Sequence, residues 1–177
     1  MNRKILLAAG GLALAAIATP AAAQTTKPVG LSIRAGVVFP TNGELRDVGR
    51  TLFGAGLEYK LSGANLGQSM GANSNAHLSI SADYYGKNNA SSIPVLLNIV
   101  GSNNEFFYSA GAGVAFSRDS ETTAGVTSTR NKTNFGYQLG IGYNFQQSQT
   151  PVFIEAKYWG NGNSALNAVG VYLGIRL

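Results

Sequence analysis

Through most of this chain apolar side chains recur at every second position in windows of about ten residues, and within those windows no charged residue shares their parity. Period-two alternation is the signature of a β-strand whose two faces meet different surroundings. After residue 23 about eight windows of roughly ten residues carry it, the length a tilted strand needs to cross a bilayer. In the clearest window Phe106, Tyr108, Ala110, Ala112, Val114 and Phe116 oppose Phe107, Ser109, Gly111, Gly113 and Ser117. In the next, Phe135, Tyr137, Leu139, Ile141, Tyr143 and Phe145 oppose Asn134, Gly136, Gln138, Gly140, Gly142 and Asn144. Windows beginning at Leu31, Phe53, Leu78, Val152 and Val169 repeat the rhythm. Ser92 to Val100 is the least regular and carries Pro94, which a strand accepts only near its start or at a gap in the ladder.

Charge placement decides what the apolar faces touch. Arg34, Glu58, Lys60, Asp83, Glu155, Lys157 and Arg176 all fall on the face built from Gly, Ser and Asn. A charge facing lipid near the midplane costs roughly 2–4 kcal/mol, so a membrane barrel requires this segregation. A soluble sandwich or lipocalin-like periplasmic binder would turn the same apolar faces inward and the charged faces to water. Charged residues make up 12% of the chain, too few for a solvent coat, and mean hydropathy is +0.04. Gly, Ser and Asn suit a narrow, crowded lumen instead. Aromatics of the apolar face lie toward strand ends, at Phe39, Phe53, Tyr84, Phe106, Phe145 and Tyr158, where girdles form at the lipid–water boundary. The expected fold is therefore all-β, a single antiparallel up-and-down transmembrane barrel of about eight strands.

Residues 1–23 read as a signal peptide: Arg3 and Lys4, an apolar run from Ile5 to Ile17, then small residues to Ala23, after which cleavage is expected. Residues 24–177 then form one barrel domain. The sequence pI of about 9.6 does not point to nucleic acid, because removing Arg3 and Lys4 leaves 11 basic against 8 acidic side chains, without clusters. Cysteine is absent, which excludes disulfides and thiolate chemistry. One His and scattered carboxylates make no metal site, and no cofactor is expected. The Gly111-Ala112-Gly113 and Gly140-Ile141-Gly142 runs lie inside strand windows and lack the third glycine of a dinucleotide fingerprint. They are better read as room for the large lumen side chains Tyr85, Phe107, Trp159 and Tyr172.

With the N-terminus on the periplasmic side, connections 40–51, 86–91, 118–132 and 160–165 are expected to face outward. The segments around Thr41–Arg50 and Ser117–Lys132 are the expected places for a surface partner. Residues 62–75 make a longer periplasmic turn than the architecture calls for, while Gly101 to Asn104 and Gln146 to Thr150 are compact.

The leader, the eight windows, Ile93-Pro94-Val95-Leu96-Leu97 and the Tyr108-Ser109-Ala110-Gly111-Ala112-Gly113-Val114 run together resemble the OmpA/OmpX-type small outer-membrane β-barrels over the whole mature chain. That resemblance implies outer-membrane localisation, lipid as the main partner, and a role among structural, adhesive, resistance, channel and enzymatic members. It departs at Leu177, where the family commonly carries an aromatic.

Two groups of residues bear on chemistry. His77-Leu78-Ser79 resembles the His and Ser of lipid A deacylase barrels in spacing. There the pair looks toward lipid, whereas the alternation here turns His77 and Ser79 into the lumen, so no catalysis is expected. The second group is the lumen charges, four bases and three acids, which can pair as a structural plug or line a narrow ion path. The expected role is structural or surface-contact, with a monomer favoured. Porin-like passage of small or hydrophobic solutes is the alternative, and the lipocalin-like binder comes third.

Overall fold

The alternating windows become strands, and each closes on the next because neighbouring windows are joined by connections that permit antiparallel pairing. A computed structural model of the chain describes residues 30–42, 46, 49–67, 74–87, 90–123, 126–145, 151–162 and 166–177. Eight strands run in chain order: β1 Leu31–Pro40, β2 Leu52–Gly67, β3 Ser74–Lys87, β4 Ala90–Asn103, β5 Phe106–Thr123, β6 Val126–Phe145, β7 Val152–Asn161 and β8 Ala168–Arg176. Each pairs antiparallel with its neighbour, and β1 pairs with β8 from Ser32↔Arg176 to Pro40↔Ala168, which closes the barrel. Closure leaves no unpaired edge through the belt, as hydrocarbon requires. The leader, its cleavage point and residues 146–150 lie outside the described residues.

Parity assigns the faces as expected. Phe135 is 63% exposed and Ile141 61% on the outside of β6, while Gln138 between them is buried. The same outward apolar belt runs around every strand, through Val37, Leu57, Ile80, Leu97, Val114, Ile154 and Leu173. Arg34, Asp83, Glu155 and Lys157 are buried inside. Water would not tolerate so continuous an apolar surface on a monomer. Hydrocarbon accepts it.

Aromatic side chains stand at both ends of the belt. Phe39 and Phe53 are exposed at the end away from the termini, and Phe106 and Phe145 at the terminal end, where Tyr143 meets both edge-on at 5.1 and 5.3 Å between ring centres. Pro94 sits opposite a gap: the β3–β4 ladder pairs Ala82↔Val95 and resumes at Tyr85↔Ser92. The missing N–H falls where no partner asks for it.

Three connections differ from expectation. Residues 118–132 are not a loop, because β5 and β6 stay paired from Phe106↔Tyr143 to Thr123↔Val126. Within 62–75, β2 continues to Gly67 against β3 with register shifts between Lys60 and Asn65 and between Asn65 and Gly67. The turn after β4 is centred on Asn104, whose φ of 53° is the left-handed conformation that Asn tolerates, and not on residues 101–103, which remain in the strand.

Candidate functional site: the filled lumen

The interior divides into layers along the barrel axis. Farthest from the termini, Val38, Leu52, Tyr85, Ala90, Trp159, Leu166, Ala168 and Tyr172 form a buried apolar cluster. Trp159 lies 5.2 Å from Tyr85 and 5.4 Å from Tyr172, ring centre to ring centre. Leu166, from the segment joining β7 to β8, folds over this end, and its carbonyl accepts a 2.8 Å hydrogen bond from the Tyr85 hydroxyl.

Next comes an ion cluster drawn from four strands. Arg34 of β1 donates to Asp83 of β3 through Nε at 2.8 Å and Nη2 at 2.9 Å, the two-pronged geometry that suits guanidinium to carboxylate. Its Nη1 reaches Glu58 of β2 at 3.0 Å and Glu155 of β7 at 3.5 Å. Lys157, also of β7, approaches Asp83 at 3.3 Å and Glu155 at 3.9 Å, and its Nζ lies 5.7 Å from the centre of the Trp159 ring. Asp83 and Lys157 are each 1% exposed, so their desolvation, several kcal/mol per ion, is offset only by this pairing.

Register explains how Arg34 reaches a carboxylate two strands away. Arg34 pairs with Gly56, and Gly56 pairs with Asp83, so the residue between them has no side chain. A Cβ on Gly56 would run into Asp83 Oδ1 and come within 2.9 Å of Arg34 Nε. Glycine also faces the large lumen rings: a Cβ on Gly142 would strike Phe107, and one on Gly174 would strike Phe153.

Beside the ion cluster lies a neutral polar chain that the charge pattern does not reveal. Asn98 Nδ2 donates to Ser81 Oγ at 3.0 Å and to Ser79 Oγ at 3.5 Å, and Gln138 Nε2 donates to Asn98 Oδ1 at 2.6 Å. The available signal was Asn98 itself, an amide in the apolar run from Leu96 to Val100.

Of the seven charged residues expected to pair, five assemble: Arg34, Glu58, Asp83, Glu155 and Lys157. Lys60 and Arg176 do not join them. Lys60 is exposed at the terminal end, and the Arg176 guanidinium carbon lies 4.7 and 5.2 Å from the centres of the Phe107 and Phe153 rings. Both have the lumen parity and line the cavity at the mouth, away from Asp83 and Glu155. His77 and Ser79 also face inward, with Ser79 fully buried and His77 lining a cavity at that mouth.

A closed eight-stranded barrel with a lipid-compatible exterior and a filled lumen is matched by one family model, the outer membrane protein beta-barrel domain, over residues 9–175. The chain belongs to that family. Among solved structures it is similar to the outer membrane enzyme PagL, with 15% identity, a TM-score of 0.50, and coverage of 83% of this chain and 97% of that one. It is also similar to the N-terminal β-barrel domain of Pseudomonas aeruginosa OprF, with 10% identity, a TM-score of 0.49, and coverage of 85% and 100%. For Yersinia pestis Ail in complex with the heparin analogue sucrose octasulfate the values are 16%, 0.47, and 82% and 96%. No curated protein matches the chain.

Proposed function

We propose that this outer-membrane barrel is a structural and surface-contact protein, exported by residues 1–23, acting as a monomer and performing no catalysis. The sealed lumen carries this reading: Arg34, Asp83, Glu155 and Lys157 of the ion cluster are buried and lie under an aromatic plug capped by Leu166. A solute path would have to break both layers, which argues against the narrow channel. The likeness to PagL reaches the fold alone. Here the inward facing of His77 and Ser79 supports a non-catalytic reading, since neither meets lipid.

The contact surface is the β5–β6 ribbon. Pairing with β4 ends at Ser91↔Arg118 and with β7 at Gly136↔Asn161, so both strands run on above their neighbours. Partners would engage this ribbon and the segment around Thr41–Arg50. Recording in planar bilayers tests the sealed-lumen claim: silence is expected, and a stable unitary conductance would restore the channel reading. Mass spectrometry of lipid A from cells making the protein tests catalysis; acyl loss that disappears in His77→Ala would overturn the non-catalytic reading.

A further inference from the structure

The mouth at the terminal end of the barrel is built differently from everything above it. A cavity of about 560 Å³ opens there, lined by Arg176, Lys60, His77, Glu58, Ser32 and Ser102 among others. Val100 in its wall belongs to a buried cluster with Phe107 and Phe153. The size falls within the usual range for small-molecule sites.

The charges lining the cavity do not balance as they do in the cluster above. Glu58, the one carboxylate among the described residues of its wall, already accepts Arg34 at 3.0 Å. Arg176 has no carboxylate within ion-pair distance among the described residues, and its guanidinium carbon lies 4.7 and 5.2 Å from the centres of the Phe107 and Phe153 rings. A guanidinium carries five N–H donors in a fixed fork, and no carboxylate among the described residues takes those of Arg176. Lys60 adds a second cation at the rim, and His77, Ser32 and Ser102 add polar groups.

We propose that this cavity is a blind binding site for a small solute carrying an oxyanion, a carboxylate or a phosphate, which enters from the periplasm and supplies the acid that Arg176 lacks. Arg176 is the anchoring residue, gripping two oxygens through its N–H fork. Lys60 contributes long-range attraction at the rim. The ion cluster and the aromatic plug beyond it block passage, so the site retains or senses its solute and does not conduct it.

Titration calorimetry on the folded barrel in detergent at low salt tests this, with succinate, inorganic phosphate and glucose 6-phosphate as probes and choline and glucose as controls. At least one anion is expected to bind saturably with Kd below about 1 mM, more weakly as salt rises, while the controls give no binding. Succinate against phosphate separates the two oxyanion classes. Arg176→Gln is expected to weaken binding about tenfold or more, Lys60→Gln less, and Lys87→Gln at the opposite end not at all. Heat-modifiability on a gel checks that each variant is folded; should Arg176→Gln fail it, the Lys60→Gln/His77→Gln double variant serves instead. Absence of saturable binding by every anion would overturn the proposal. So would affinity unchanged in Arg176→Gln, or in the double variant where it replaces it.

Discussion

Arg34 and Arg176 stand on adjacent, paired strands, face the same lumen and have the same chemistry, yet they live in opposite states. Arg34 is enclosed and shared among Asp83, Glu58 and Glu155; Arg176 lies on two rings at an open mouth. The difference is depth along the axis, and depth decides whether a lumen charge must be neutralised by protein or can be left to solvent and solutes. Midway, an unpaired ion costs several kcal/mol. At the mouth, water takes most of that cost away.

Four substitutions sharpen or break this contrast. Arg34→Met should be the most damaging, leaving three carboxylates facing Lys157 alone, with a loss of about 3–5 kcal/mol in denaturant unfolding from lipid vesicles. A loss no larger than that of a mouth residue would erase the distinction. Asn98→Ala strands the Gln138 amide and two hydroxyls, and about 1–3 kcal/mol is expected by the same assay. Gly56→Ala pushes a methyl group into the line between Arg34 and Asp83; overpacking of this kind costs about 1–3 kcal/mol, and an unfolding midpoint equal to that of the unsubstituted protein would show that the ion cluster does not depend on this gap. Lys60→Gln, at the exposed rim, should shift stability by less than about 0.5 kcal/mol.

What the sequence made legible follows from the same distinction. Parity along a strand reports which face a residue occupies, so all seven charges were placed in the lumen from Arg34, Asp83 and their neighbours alone. Parity says nothing of depth, which depends on strand tilt and on the register set when β1 meets β8. Pairing partners therefore had to wait for the structure, and Lys60 and Arg176 were grouped with residues they do not touch. The ribbon beyond Phe116 was read as a loop for a related reason: above the belt neither face needs to be apolar, so period two vanishes although the strands continue. Asn98 escaped notice because a neutral amide leaves no mark on a charge pattern.

The central claim is that the charge-free faces meet hydrocarbon. The chain contains no cysteine, so single nitroxide labels can be introduced cleanly along β6. In lipid vesicles, labels at Phe135→Cys, Tyr137→Cys, Leu139→Cys and Ile141→Cys should collide readily with dissolved oxygen and hardly at all with a water-soluble nickel chelate, whereas Gln138→Cys and Gly140→Cys should be shielded from oxygen. Reversal of that alternation, or nickel accessibility at Leu139→Cys and Ile141→Cys, would contradict the account.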